Sequence, residues 1–130
     1  MEQYKQQILL ICDHAFIDNQ GKLNIIGVFE NINLQKVPGN LLKMVIVGSY
    51  LLSNPNNKQT KLEINLLKPD QSLLIHVQKD EAKLHNDRIL NFMITLENMK
   101  FELLGEHKLE ILINGMKAGE QTINVKRLTN

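Results

Sequence analysis

Three contiguous residues, Cys12, Asp13 and His14, carry side chains that nucleophilic catalysis commonly uses. They follow the apolar run Ile8–Ile11 and are predicted to continue a β-strand, in which neighbouring side chains point to opposite faces. Asp13 would then point away from the other two, and the Cβ atoms of Cys12 and His14 would lie roughly 7 Å apart. Because a thiolate–imidazole pair needs a closer approach, we predict a small buried thiol at Cys12 rather than a catalytic nucleophile.

Asp13 leads to a separate prediction, because a carboxylate within an apolar strand must be paired or hydrogen-bonded if it is buried. We predict that Asp13 is structural and accepts hydrogen bonds from backbone N–H groups of a neighbouring loop. Direct contact between this carboxylate and a ligand is the alternative.

The residue types that bind metals are dispersed along the chain. Zinc sites commonly use His or Cys at short spacings, which the single cysteine and the four histidines do not provide: His14, His76, His85 and His107. Calcium sites need clustered carboxylates, and the best group is Asp80, Glu81 and Asp87, where neighbouring lysine and arginine residues balance the charge. We therefore predict a solvated surface there, no bound metal and no cofactor, and a melting temperature that zinc and calcium leave unchanged.

Other motifs of catalysis or nucleotide binding are missing from the sequence. It contains no glycine-rich phosphate loop, no Gly-x-Ser-x-Gly and no His-Glu-x-x-His. A count of 15 Lys+Arg against 14 Asp+Glu argues against a nucleic-acid binder that works by neutralising phosphates. Four Phe, two Tyr and no Trp leave few rings for stacking on a sugar or a base. We predict that the protein is not an enzyme and does not bind nucleic acid.

The elements that position these residues follow a period of two, which is typical of strands with one face on a core and the other on water. Apolar and polar residues alternate in five segments: Leu62–Leu66, Leu73–Val77, Leu90–Leu96, Leu109–Ile113 and Ile123–Val125. Between the last two, Asn114-Gly115 favours a tight hairpin turn, since both residue types tolerate positive φ. With 130 residues, 43% of them hydrophobic, the chain is predicted to form one domain, residues 1–130, that buries about two-thirds of its surface.

The first third of the chain is also strand-like, in the segments Ile8–Ile17, Leu23–Leu34 and Met44–Leu52. Gly27 interrupts the second segment, which indicates a bulge or a close backbone approach. For Glu97–His107 we predict an extended conformation, the alternative being a short helix that Gly105 caps. Any other helix is placed at Ala82–Asp87. About eight strands at this spacing predict an all-β antiparallel sandwich.

The compartment is predicted from what the sequence lacks. One cysteine permits no internal disulfide, so no oxidising compartment is indicated. The apolar run Ile8–Cys12 is shorter than a secretory signal requires, and no run reaches the about 20 residues that cross a bilayer. We expect a soluble, cytoplasmic protein with no membrane partner.

Two segments break the alternation, because Ile8–Cys12 and Met44–Val47 are apolar at every position. A strand that is apolar on both faces must be covered on both, and no further element is an obvious second cover. We predict that a second copy covers it in a homodimer, through these candidate interface residues: Ile8, Leu10, Met44, Val45, Ile46, Val47 and Tyr50. The alternative cover is Glu97–His107 or the N-terminal tail. A charged residue substituted at Val45 should then have a different effect from one at Ile46. One substitution should unfold the protein, and the other should give a folded monomer.

The start of the chain resembles a family of small uncharacterised bacterial domains. The resemblance rests on the strand Leu10–Ala15 with its Cys-Asp pair, on Gly21–Phe29 with its Gly-Lys-Leu start, and on Pro38 about ten residues after a glycine. The final segment Gly105–Val125 is similar to the last hairpin of that family, except that His107 stands where Tyr is commoner. The resemblance implies an immunoglobulin-like β-sandwich and supplies no assigned activity.

These observations predict a non-catalytic protein-interaction or assembly module. A sandwich that binds a small ligand or a glycan is the alternative, and an enzyme is a third. An interaction module would show a flat apolar face, whereas a ligand binder would show a concave pocket. An enzyme would show titratable groups that converge in a cleft.

Overall fold

The alternating segments form nine strands in a computed structural model that describes residues 4–53, 60–84 and 88–128. The strands are β1 (Tyr4–Ile17), β2 (Leu23–Phe29), β3 (Asn31–Leu34), β4 (Gly39–Leu52), β5 (Leu62–Leu67), β6 (Leu73–Lys79), β7 (Ile89–Phe101), β8 (Gly105–Ile113) and β9 (Met116–Arg127). One sheet has the order β2-β1-β4-β7 and the other the order β3-β9-β8-β5-β6. The predicted all-β, immunoglobulin-like sandwich is confirmed, with one strand more than expected.

The extra strand arises within the predicted segment Leu23–Leu34. The chain leaves the first sheet after Phe29, and Asn31–Leu34 joins the second sheet beside β9. That pairing is parallel, whereas every other strand pair in the described part of the chain is antiparallel. Ile32 and Leu34 then point into the core, so the segment keeps its alternation while it changes sheet.

The core lies between the two sheets and follows the period of two. On β5, Leu62, Ile64 and Leu66 are buried, while the residues between them are only half-buried. Ile64 lies opposite Ile111 of β8, so that apolar side chains meet across the ladder. The β8–β9 hairpin turns at Asn114 and Gly115 with φ values of 52° and 81°, which confirms the turn predicted there.

The predicted extended conformation of Glu97–His107 is correct. Strand β7 continues to Phe101, residues 102–104 connect the sheets, and β8 begins at Gly105. Asn98 has a φ of 54°, which marks a kink where the end of β7 bends with the start of β4. At the other proposed helix, residues 82–84 are not helical, and residues 85–87 lie outside the described part. No helix among the described residues is long and apolar enough to span a membrane.

The candidate dimer interface requires a correction, because five of its seven residues are buried within a single chain. Met44, Ile46 and Tyr50 belong to the core between the sheets. Val45 and Val47 form a second buried cluster with Cys12, on the outer face of the four-stranded sheet. A buried residue offers no surface to a partner, so these five residues do not form an interface while the fold is intact, and Ile8 and Leu10, which are half-buried, stay a prediction.

The chain itself covers the outer face, with the far half of the β1–β2 hairpin, residues 13–27, here called the arm. Strand β1 pairs with β4 only as far as Cys12, but its pairing with β2 continues to the Ile17–Leu23 pair. Three arm residues pack on the cluster of Cys12, Val45 and Val47: Ala15, Leu23 and Ile25. The arm leaves the sheet beside Gly27, whose φ of 73° is readily adopted only by glycine. The sequence gives no periodic signal for this cover.

Candidate functional site

The structure separates the side chains of the Cys12–His14 run. Cys12 is buried under the arm, and its Sγ donates to the His14 carbonyl at 3.5 Å. Burial raises the pKa of the Cys12 thiol, which disfavours the reactive thiolate. The His14 ring is exposed and accepts a hydrogen bond at Nδ1 from Lys43 Nζ at 3.3 Å. The run therefore provides a packed thiol and a surface imidazole rather than a nucleophile with its base.

The predicted role of Asp13 is also corrected. Its side chain is exposed at the base of the arm and lies directly over Gly27, where any Cβ would collide with the carboxylate. Within residues 4–53, 60–84 and 88–128 no backbone N–H donates to it. Because β1 separates from β4 after Cys12, the Asp13 side chain faces water and does not need the partners that a buried carboxylate would require.

We expect Asp13→Ala to change the free energy of unfolding by no more than about 0.5 kcal/mol, as for an exposed residue without partners. Gly27→Ala should instead cost about 1–2 kcal/mol, because alanine resists positive φ and its Cβ meets the Asp13 side chain. Urea denaturation of both variants measures the two values. A loss well above 1 kcal/mol for Asp13→Ala would restore the structural role that the sequence suggested.

His107 is the one histidine within the described residues that is buried, and it packs as an aromatic residue would. Its ring meets Phe101 edge-on, with ring centroids 5.3 Å apart, and its Nδ1 donates to the Gly105 carbonyl at 3.2 Å. Burial lowers the pKa of His107, while the Gly105 carbonyl and the Asp70 carboxylate oppose that shift and Lys68 adds to it. The neutral ring is thus part of the core.

We predict that His107 makes stability fall in mild acid. The unfolded chain takes up a proton near the usual pKa of about 6.5, whereas the folded chain resists it to lower pH. Stability is therefore complete above that value and decreases as the pH falls toward the pKa of the folded state. Thermal melts from about pH 7 to about pH 5 should show this slope.

His107→Phe is the matched variant, because it keeps a ring beside Phe101 and removes the titration. The melting temperature of His107→Phe should change less between about pH 7 and about pH 5 than that of the wild type. The exposed His14 and His76 are present in both proteins, so they do not account for the difference. Equal slopes for the two proteins would show that His107 is not the group responsible.

The residues considered for metal binding do not converge within the described part of the chain, where no group of three potential ligands occurs. Asp80 accepts a hydrogen bond from Gln78 at 2.6 Å, and the His76 ring lies 2.6 Å from Asn65 Oδ1. His85 and Asp87 lie outside the described residues. The expectation that zinc and calcium leave the melting temperature unchanged stays a prediction.

A recess lies on the open side of the sandwich, between β6 of one sheet and β7 of the other. It has a volume of about 420 Å³ and is lined mainly by apolar side chains of the core: Leu62, Ile64, Val77, Leu90, Phe92 and Ile94. Lys79 and Lys83 stand on its rim, and none of the described residues that line it is a carboxylate. The recess, here called the groove, is therefore an apolar surface with a positive margin.

The backbone of β7 beside this groove has one unpaired edge. The Leu52 N–H donates to the Arg88 carbonyl at 2.8 Å, and the register with β4 runs without a shift from Ile89 to Leu96. In an antiparallel ladder every second residue then turns its N–H and C=O toward β4. The intervening residues Ile89, Asn91, Met93 and Thr95 turn theirs away, to a side where no described strand pairs with β7.

A smaller cavity of about 80 Å³ lies on the other face of β7, below the tip of the arm. Ile17 and Leu23 of the arm line it together with Asn91 and Met93, and the same stretch of β7 lines the groove. Ile17 is 54% exposed and Met93 37% exposed, so both offer apolar surface to water. The free edge of β7 consequently runs between two apolar recesses.

The free edge also lacks the features that protect other sheet edges. Strand β6 carries His76 and Lys79, and β3 is only four residues long. Residues 89–96 of β7 contain no charge, no proline and no glycine. Natural edge strands commonly use charge, proline or short length to avoid pairing with other chains. Alternation in Leu90–Leu96 predicts an ordinary core strand, and the lack of charge points to a binding edge only once the unpaired side is known.

Two solved structures resemble this chain in fold. The chain resembles part of the alkylpurine DNA glycosylase AlkC of Pseudomonas fluorescens, solved with DNA that contains an abasic site analogue, at a TM-score of 0.57 and 11% identity over 95% of this chain. The chain spans 30% of the glycosylase chain. An immunoglobulin-like protein of Pseudomonas aeruginosa matches at a TM-score of 0.48 and 15% identity, over 96% of this chain and 98% of that one. At such identities the likeness concerns the fold alone.

Comparison with curated proteins finds no match. A family model described as a family of unknown function, DUF6941, matches residues 7–126, which include the Gly-Lys-Leu and Pro38 positions noted in the sequence. The chain therefore belongs to the DUF6941 family, whose function is unknown.

Proposed function

We propose that the protein is a non-catalytic interaction module that binds an extended segment of a partner protein along the free edge of β7. The observation that carries the proposal is the uncharged edge of residues 89–96, with unpaired backbone groups between two apolar recesses. An added strand gains main-chain hydrogen bonds from the edge, and alternate side chains of that strand enter the recesses.

The geometry of the groove fits this mode of binding. A strand added to β7 places every second side chain on the inner face of the sheet, above Phe92 and Ile94. These apolar residues provide burial, while Lys79 and Lys83 on the rim favour a segment that carries an acidic residue. The backbone ladder gives affinity and the groove gives selectivity.

Binding of a small apolar ligand is the second candidate, because the groove volume of about 420 Å³ lies within the range of small-molecule sites. DNA binding is not proposed. The likeness to the glycosylase concerns the fold alone, and the net charge of +1 provides no electrostatic footprint for a phosphate backbone.

The test uses short labelled peptides that alternate valine with threonine or aspartate, measured by fluorescence polarisation. N-methylation of the peptide backbone at every second residue should abolish binding when it removes the N–H groups that face β7. N-methylation of the other edge of the same peptide should leave binding intact, because those groups face water. Laurate serves as the competing small ligand.

Met93→Pro is the matched protein variant, since it removes an N–H on the free side and leaves the ladder to β4 unbroken. Met93→Ala keeps that N–H and serves as the control. Peptide binding that survives Met93→Pro and both N-methylation patterns contradicts strand addition. Saturable laurate binding without any peptide binding overturns the proposal in favour of the second candidate.

A further inference from the structure

The exposed edge of β7 is complementary to a second copy of itself. We propose that two chains pair through β7 in antiparallel orientation, about a twofold axis that passes through Met93, to form one continuous sheet across a homodimer. The inference rests on the proposed function, because it names the added strand. It differs from the interface expected from the sequence, five of whose seven residues are buried under the arm or in the core.

The backbone groups match in this register. With the axis at Met93, the directly opposed residues are Met93 with its own copy, Asn91 with Thr95, and Ile89 with Glu97. Ile89, Asn91, Met93 and Thr95 turn their N–H and C=O groups to the free side of β7, as the ladder to β4 requires. Each opposed pair can therefore exchange two hydrogen bonds without breaking a bond of the single chain.

The side chains match as well. On the inner face Phe92 lies opposite Ile94, so apolar groups meet apolar groups at the two grooves, while Leu90 stays in the core of its own chain. On the outer face the amide of Asn91 meets the hydroxyl of Thr95. If the axis passed through Phe92, Met93 would lie opposite Asn91, and if it passed through Ile94, Met93 would lie opposite Thr95. Either register places an apolar side chain opposite a polar one. The Met93 register is the one in which polarity agrees at each of these positions.

Charge does not oppose the pairing of the two strands. Residues 89–96 carry no charge, so like charges do not meet at the centre. Glu97 of one strand lies opposite the uncharged Ile89 of the other, and Arg88 follows the inner-face residues, so no like charges are opposed at the ends either. Neither Glu97 nor Arg88 forms an ion pair within the described residues. The pairing also brings the exposed Met93 next to its own copy, close to Ile17 of each arm.

Analytical ultracentrifugation of the wild-type chain at tens of micromolar should show a dimer. Met93→Pro should give a folded monomer, while Met93→Ala should remain dimeric. The double variant Asn91→Glu with Thr95→Glu places two carboxylates directly opposite each other across the seam and should weaken the dimer about fivefold. The double variant Asn91→Lys with Thr95→Glu opposes unlike charges at the same positions and should remain dimeric. Both positions are exposed, so this pair of variants keeps the test decisive if the proline variant does not fold.

The outcomes separate this inference from the proposed function. A wild-type monomer that still binds the valine-threonine peptides at the β7 edge overturns the dimer and leaves the interaction module in place. A dimer that persists in Met93→Pro, or that is unchanged by Asn91→Glu with Thr95→Glu, shows that the copies meet elsewhere and overturns the inference. A monomer that binds no extended peptide overturns both.

Discussion

Aspartate at either Val45 or Ile46 is expected to unfold the protein. Both side chains are buried, Ile46 between the sheets and Val45 beneath the arm, so each substitution places a carboxylate among apolar groups without a partner. A loss of more than about 4 kcal/mol is typical of an unpaired buried charge, and it approaches the total stability of a domain of this size. Circular dichroism with thermal melting measures the outcome.

Leu42→Asp is the matched control for these two variants. It lies on the same strand and is 75% exposed, so its native fold and melting temperature should be close to those of the wild type. A folded Val45→Asp protein would mean that the arm does not cover the outer face in solution. That result would return Val45 to the candidate interface where the sequence analysis placed it.

Gly48→Val is expected to be the second severe substitution. Gly48 is buried in β4 opposite Phe92 of β7, and a Cβ at this position would lie within the van der Waals radius of the Phe92 ring. That ring is held in place by stacking on Tyr50, at a centroid distance of 6.2 Å. Since the ring has little room to retreat, overpacking should cost about 3 kcal/mol or more, measured by urea denaturation.

A double-mutant cycle identifies the cause of this loss. Phe92→Leu removes most of the ring, so Gly48→Val should be tolerated better in that background, with a coupling of about 1–3 kcal/mol. Ser49→Ala is the control, because its side chain points to the other face of the strand and should show no coupling to Phe92. Additive losses for Gly48→Val and Phe92→Leu would disprove the steric explanation.

The sequence predicted the parts of the fold that depend on neighbouring residues. Alternation in Leu62–Leu66 and the φ preferences of Asn114-Gly115 are local properties, and both predictions are confirmed. The cover of Val45 depends on where β1 leaves β4 and on which hairpin folds back, and neither follows from the composition of any one strand. The exposure of Asp13 has the same origin, since β1 separates from β4 directly before this residue.

The candidate site was hidden for a related reason. Strands β6 and β7 are consecutive in sequence but lie in different sheets, and each pairs on one side only. A linear sequence does not state which strands end at the edges, so Leu90–Leu96 was interpreted as an ordinary core strand. Its lack of charge becomes informative only when the topology shows that one edge is unpaired.

Residue-resolved hydrogen exchange of β7 tests the central claim most directly. We predict that the amides of Asn91, Met93 and Thr95, which face the free edge, exchange quickly in dilute protein. They should become protected at high protein concentration or when the valine-threonine peptides are added. The amides of Phe92 and Ile94, which bond to β4, should be protected under all of these conditions. If the free-edge amides stay unprotected while concentration or peptide protects another surface, the edge of β7 is not where this protein binds.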